Sequence, residues 1–462
     1  MHAIDFSCKK PDAFIIGKIR FLIMRAGTFH IITFGCQMNV HDSQWLTAAL
    51  EKQGYSLAAM EEAQLVIINT CSVRQKPEEK VRSALGRIKT ATCGSRDVCV
   101  AICGCVAQQL GKKLFEYSPQ VRLVAGTDGI AAMPQTLLEL LEAPAKKLLL
   151  LDFAPAYVER PQLEIGGASA FVAIMQGCDN FCAYCIVPFT RGRQKSRQEH
   201  EILEECGRRL ARGAREITLL GQNVNAWGKD NGQGSFAGLL RKIAALPGLE
   251  RLHYITPHPK DMTAEDARVF GELPVLCPRL HLPLQSGSDK VLAAMRRRYS
   301  SREYLDLVET LKNARPDIAL STDIIVGFPG ESEADFLATL ELLRKCSFVS
   351  SFSFCYSDRP GARAALFPHK IPPAIQQDRL LRFQAMQEEI TEKWLAGRVG
   401  QKALVLLEGK SPRQADGQES WQGRDEYGAI VHVPVNEAFA GQMIACRIEA
   451  ARRHSLVGRQ EG

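Results

Sequence analysis

Cys178, Cys182 and Cys185 stand four and then three residues apart in GCDNFCAYCIVPFTRGR, residues 177–193. Thiolates at that spacing on one loop suit three corners of a cubane iron–sulfur cluster and leave the fourth iron open to an exchangeable ligand. Two other readings stand beside it. A structural zinc wants four tetrahedral ligands, typically in CxxC pairs, and no partner CxxC or HxxxH accompanies this loop. Three unligated core thiols are opposed by Gly177, Asp179 and Asn180, which make the segment a polar loop. A second set, Cys36, Cys71 and Cys105, lies in TFGCQMN, NTCSVR and CGCVAQ, 35 and then 34 residues apart. Cys103 rivals Cys105 as the third member, whereas Cys93 and Cys99 read as core or surface thiols.

Other residues carry weaker signals. Gln222 and Asn223 end one apolar run, Gln285 and Ser286 another, and Gly327 opens GFPGE after a third; strand ends are where a βα barrel builds its sites, although each also serves to terminate a strand. Asp323 interrupts an apolar strand, where a carboxylate is costly unless paired, so it reads as a cofactor contact or as half of a salt bridge. Arg191, Arg193, Lys195 and Arg197 place four cations just ahead of a helix, whose N-terminus favours acids; the strip therefore reads as a contact for an RNA backbone. Arg296, Arg297 and Arg298 form a second patch.

These residues need elements to hold them. Residues 27–150 alternate short β-branched runs (FHIITF, LVIINT, VCVAI, VRLVAG) with helical stretches, which predicts a small α/β domain. The cysteines of the second set fall at or after strand ends, and in a parallel sheet such ends converge on one edge. Residues 151–168 are proline- and glycine-punctuated and read as a linker. From 169 to 396, strands recur roughly every 30–40 residues with helices between them. About six such units are visible, fewer than the eight of a closed barrel, so a partial (β/α)6 barrel, open on one side, is expected. Beyond a connector helix over 374–398, KALVLLEGK, AIVHVPV and QMIACRIEAARR alternate as short strands of a small, OB-like β-barrel over 397–462. Residues 1–26 are expected to be a disordered extension, and Met24 offers an alternative start.

Bulk properties agree with this layout. A chain of 462 residues, 46% hydrophobic and 24% charged, has globular composition and length for several domains. Its fifteen cysteines cluster in motifs along a long chain, unlike a short secreted disulfide scaffold, which points to a reducing, cytoplasmic setting. FIIGKIRFLIM is broken by Lys18 and Arg20, so no membrane span is expected. The net charge of +7 permits a nucleic-acid partner without requiring one.

CxxxCxxC after a first barrel strand resembles the radical S-adenosylmethionine enzymes. GCDNFCAYCIVPFTRGR, LLGQNVNAW, HPKDM, LHLPLQSGSDKVLAAM and STDIIVGFPGE, with GCQMN, NTCSVR and GCVAQ upstream, are similar to the tRNA methylthiotransferases, of the MiaB type acting on N6-dimethylallyladenosine. The resemblance spans about 27 to 460 and implies two [4Fe-4S] clusters. Cys178, Cys182 and Cys185 would hold the catalytic one; Cys36, Cys71 and Cys105, the last chosen over Cys103 by the GCxAQ pattern, would hold an auxiliary one. It further implies that one S-adenosyl-L-methionine yields a radical, a second methylates a cluster sulfur, and the methylthio group passes to C2 of the base at position 37. A C-terminal TRAM domain, the tRNA anticodon stem-loop as partner, an unidentified electron donor, an iron–sulfur assembly carrier and a monomeric state follow. Acid–base catalysis cannot reach an aromatic C–H, which suits radical chemistry. The chain departs from the family pattern in RPGAR, in Trp227 and in Pro257 before HPKDM. Remaining alternatives are threonylcarbamoyl-adenosine in tRNA, an aspartate of a ribosomal protein, or a non-catalytic iron–sulfur RNA-binding or redox-sensing protein.

Overall fold

The computed structural model describes residues 27–72, 77–95, 97–161, 163, 165–412, 420–435 and 437–461; the expected extension over 1–26 lies outside them. Chain contacts divide it into two units, residues 1–35 with 42–152, and residues 36–41 with 153–462.

The first unit is built on β1 (Thr28–Thr33), β2 (Ser56–Leu57), β3 (Leu65–Thr70), β4 (Cys99–Gly104), β5 (Val121–Ala125) and β6 (Leu148–Leu150). Their order is β2-β1-β3-β4-β5-β6, with every pairing parallel. β3, β4 and β5 are buried along their whole length, which is why they read as unbroken apolar runs rather than alternating ones. The edge strands β2 and β6 escape sequence reading because two or three residues cannot establish a period.

In the second unit, β7 (Ser169–Ala173), β10 (Glu216–Leu220) and β11 (Arg251–Tyr254) form one parallel triplet, and β12 (Arg279–His281), β13 (Ala319–Val326) and β14 (Ser350–Cys355) another. Two short strands, β8 (Met175–Gln176) and β9 (Lys195–Ser196), pair antiparallel. The seam between the triplets is a single parallel bridge, Leu252 to Leu276. β7 and β14 each end their sheet, so the six-stranded partial barrel is open, as its strand count predicts. Val172, Ile217, Leu219, Leu252, Leu280, Leu320 and Ile324 turn outward into a core shared with the surrounding helices.

The C-terminal region closes as β15 (Lys402–Lys410), β16 (Ser420–Arg424), β17 (Ile430–Pro434), β18 (Met443–Arg452) and β19 (Ser455–Gln460), in the barrel order β15-β16-β17-β19-β18. β16 and β19 go beyond the three strands predicted; both include glycine and polar residues, which hide their period. The barrel is tied to the central strands by buried Arg251, whose guanidinium donates to the carbonyls of Leu404 and Arg424, and by Tyr427, whose hydroxyl donates to Asp317 at 2.7 Å. No helix among the described residues is long and apolar enough to cross a membrane.

Gly423 shows how tightly the barrel closes, since a Cβ there would lie 2.1 Å from the Leu406 carbonyl oxygen. Backbone cannot yield as a side-chain tip can, so Gly423→Ala is expected to destabilise the barrel by about 1–3 kcal/mol. Thermal unfolding followed by circular dichroism measures it; an unchanged midpoint would show that β15 and β16 can separate without cost.

Candidate functional site

The three-cysteine loop is the tip of a hairpin. β8 and β9 form its arms, with Met175 opposite Ser196 and Gln176 opposite Lys195. Gly177 and Gly192 lie at the neck with φ of 80° and 77°. The Cys178 N–H donates to the Gly192 carbonyl at 3.3 Å, and the Gly177 N–H donates to Gln222 Oε1 at 2.6 Å. A Cβ on Gly177 would stand 2.0 Å from the Arg193 carbonyl oxygen, so the neck admits only glycine.

One carboxylate fixes the loop to the barrel. Asp261 Oδ2 accepts the Asn180 amide at 2.9 Å and the Asn223 amide at 2.7 Å, while Lys229 Nζ lies 3.2 Å from Oδ1. Burial alone would raise its pKa, but the two amides and the neighbouring lysines pull it down to about 2. Asp261 thus joins GCDN, GQNVN and HPKDM. These residues line a polar cavity of about 220 Å³ that also takes in Lys229 and Lys260. Asn223 Oδ1, buried at the cavity wall, has no hydrogen-bond partner among the described residues.

The thiols differ in their surroundings. Cys182 Sγ lies 3.7 Å from His258 Nε2 and 3.6 Å from Arg297 Nη1. The same guanidinium donates to the Pro283 carbonyl at 2.7 Å and approaches the Tyr184 and Tyr299 hydroxyls. Burial, with the Arg297 charge, pushes His258 down to about 2, so it faces the thiol as a neutral ring. Burial, and then the Cys182 thiolate, push Cys178 up to about 11 and Cys185 to about 12. That mutual influence places the three thiols in one patch, where a cationic group would reverse the penalty and take the thiolates as ligands. Among the described residues, no three or more His, Cys, Asp or Glu side chains converge on a single-ion position; a cubane spreads its ligands over several irons and asks for wider spacing. All the described cysteines are free thiols.

In the first unit, β3 and β4 pair Thr70 with Gly104, so Cys71 and Cys105 follow directly on adjacent partners. Both are buried. Cys103 sits one strand residue earlier, opposite Asn69 and wholly buried within β4. Cys36 belongs to the second unit, three residues beyond β1, with Sγ 3.4 Å from Asn39 Oδ1.

The basic strip is corrected by the structure. Arg191, Lys195 and Arg197 are buried and only Arg193 is exposed, paired with Asp179 at 2.7 Å. Arg197 on the return arm of the hairpin bonds Glu205 at 2.7 Å, Glu159 at 2.8 Å and the Ala173 carbonyl at 2.7 Å. Burial opposes the charge of Glu205, but Arg197 pulls its pKa down. The helix Glu199–Ala211 begins with Glu199 and Glu201, as its dipole favours. The strip's charge is thus answered within the protein. In the second patch Arg296 and Arg298 are exposed, with φ of 59° and 58°, while Arg297 turns inward to Cys182.

Ser286 is fully buried; its hydroxyl lies 3.4 Å from Thr339 Oγ1 and takes the Ser288 N–H at 3.3 Å, docking a helix. Gly327 makes room for Gln376, whose Cγ would lie 2.4 Å from a Cβ. Gln285 bridges to β13 in the left-handed region, φ 74°. Asp323 lies 3.3 Å from His281 Nε2 and remains half-exposed. Sequence reasoning did not single out Asp261, His258, Lys229 or Lys260 as site residues; HPKDM was the available signal for three of them.

Comparison with known proteins agrees with this geometry. Residues 172–343 match the radical SAM superfamily, and residues 28–126 the uncharacterized protein family UPF0004. The fold is similar to that of a radical S-adenosylmethionine methyltransferase from Kitasatospora setae, TM-score 0.55, at 14% identity over 74% of each chain. The fold and the cysteine loop thus define a radical S-adenosylmethionine protein. The chain is 56% identical over 446 residues, 95% of its length and 99% of the relative's, to the tRNA-2-methylthio-N6-dimethylallyladenosine synthase of Nitratidesulfovibrio vulgaris. It is 52% identical to the synthase of Oleidesulfovibrio alaskensis, over 95% and 99% of the two chains. The chain belongs to the tRNA-2-methylthio-N6-dimethylallyladenosine synthase family.

Gly177→Ala is expected to open the hairpin neck and to remove at least half of the iron that anaerobically reconstituted protein retains on the loop, with only a small fall in thermal midpoint. Iron content and circular dichroism together check this. Full iron retention would mean that the neck does not position the thiols.

Proposed function

We propose that this chain transfers a methylthio group to C2 of N6-dimethylallyladenosine at position 37 of tRNA by radical chemistry, using two S-adenosylmethionine molecules per product. The observation that carries this reading is the near full-length identity to synthases of that name. Cys178, Cys182 and Cys185 hold the catalytic [4Fe-4S] cluster; Cys36, Cys71 and Cys105 hold the auxiliary one. The donor chemistry fits: three free thiols share one loop, Cys182 buried and Cys178 and Cys185 partly exposed, and Cys71 and Cys105 follow paired strand ends. When bound, such clusters supply the electron that starts the radical reaction and the sulfur that is transferred.

The protein's own part is positional. Asp261 holds the cysteine loop against the end of β10 through Asn180 and Asn223. Neutral His258 and cationic Arg297 present donors to the Cys182 sulfur and fix its orientation. Of the residues expected at the cofactor, Asn223, with its unpaired Oδ1, and Asp323 remain able to take a ligand, whereas Gln222 braces Gly177. Exposed Arg193, Arg296 and Arg298 are the candidates for tRNA phosphates. An external one-electron donor and an iron–sulfur assembly carrier complete the set of partners, and the chain acts as a cytoplasmic monomer.

Cluster-loaded protein incubated with S-adenosylmethionine, a reductant and an anticodon stem-loop carrying dimethylallyladenosine is expected to yield the methylthio nucleoside, read by mass analysis of the digest. Cofactor cleavage without that product would move the substrate elsewhere. In a second test, Cys182→Ala is expected to abolish 5′-deoxyadenosine formation, whereas Cys71→Ala keeps that cleavage and loses the methylthio product. Loss of both activities in each variant would overturn the division into two clusters.

A further inference from the structure

The two halves of the open barrel differ in what covers their inner faces. On the first triplet, Ala173 and Leu220 are buried with Met38, and Cys36, Phe171 and Ile255 pack at the margin. On the second triplet the inner face is covered only in part, where Ile325 packs against the cluster of Ala183, Met295 and Phe328. Side chains alternate along β14: Cys355 packs against the outer core and Ser353 meets Gln384 of the helix Pro373–Ala396 at 3.3 Å. Phe352 and Phe354 therefore point to the opposite side, and they remain 63% and 45% exposed. β13 repeats the pattern, with Leu320, Ile324 and Val326 in the outer core and Ser321, Asp323 and Ile325 on the inner face. The register sets Asp323 beside Phe352 and Ile325 beside Phe354.

His281 completes this ledge. Its ring meets Phe352 edge-on at 6.0 Å, Nε2 lies 3.3 Å from Asp323, and Nδ1 lies 3.0 Å from Ser321 Oγ. Two phenylalanines exposed on adjacent inward positions form an apolar surface that a soluble protein keeps for an occupant. One polar couple at its edge can pair with a heteroatom. A flat base stacks on such rings, and a branched five-carbon arm without polar atoms gains by leaving water.

We propose that Phe352 and Phe354, with the His281–Asp323 couple, form the subsite for the target adenine and its dimethylallyl arm, and that Phe352 sets the preference for prenylated over unprenylated tRNA. This rests on the substrate reading above and adds the residues that recognise it. S-Adenosylmethionine, which also carries an adenine, lacks the arm, so a difference measurement separates the two occupants.

The test uses cluster-loaded protein without reductant and two anticodon stem-loops that differ only in the dimethylallyl group. Fluorescence anisotropy gives the ratio of their affinities. Wild type is expected to favour the prenylated stem-loop about tenfold or more. Phe352→Ser is expected to reduce that ratio to near unity by weakening the prenylated complex more than the unprenylated one, and Phe352→Leu to retain part of it. Circular dichroism verifies that each variant folds. An unchanged ratio in the Phe352→Ser/Phe354→Ser double variant overturns the subsite, as does a loss of S-adenosylmethionine binding with the ratio kept. If wild type, once reduced, leaves the prenylated stem-loop unmodified, the substrate reading fails and this inference with it; if it modifies that stem-loop while the variants keep their ratio, the subsite alone fails.

Discussion

The carboxylate of Asp261 is the constraint on which the site depends. It accepts amides from Asn180 in the cysteine loop and Asn223 at the end of β10, and it is itself carried by the segment after β11. The loop that must present three thiols packs Ala183 and Tyr184 against Met295 and Phe328, but its opening stretch, residues 177–180, is polar and lacks such contacts. Charge-assisted hydrogen bonds are directional and strong enough to replace that missing packing. Leaving Asn180 and Asn223 without this acceptor would strand two amides in a poorly hydrated site. The lysines around Asp261 keep it ionised, so the bracket acts as one electrostatic unit.

Around that bracket the protein has arranged its charges in opposite senses. Arg297 and His258 face Cys182 with donors, while Arg197 is turned away into Glu159 and Glu205. Lys195 and Arg197 are two apart and both go inward, whereas Arg193, closer to the tip, stays in solvent.

Legibility in the sequence followed physical range. The six-strand barrel was readable because each strand is a run of apolar residues separated by a helix, a pattern that local residues decide. The cysteine loop was readable because spacing alone carries the chemistry. The burial of Arg191, Lys195 and Arg197 was not, since β8 and β9 are two residues each and too short to announce a hairpin. Ser286 and Thr339 are 53 residues apart, and no local feature says that one hydroxyl will be spent on the other. Arg297 was hidden inside three consecutive arginines, of which only the backbone's positive φ on either side turns the middle one inward.

The inward turn of those arginines has a bearing on how the protein meets a polyanion. Formal charge counts every cation, but a guanidinium sealed against a carboxylate or a carbonyl neither faces a phosphate nor displaces its counterions. Among the described residues Arg122, Arg191, Lys195, Arg197, Arg209, Arg251, Arg297, Arg379 and Arg398 are buried against fewer buried acids, Asp42, Glu205, Asp266, Glu331 and Asp425, so the surface seen by tRNA is less cationic than the net charge of +7 suggests. Bulk attraction therefore contributes less to recognition than the formal charge implies, and discrimination among RNAs leans on shape and on the chemistry of the substrate base.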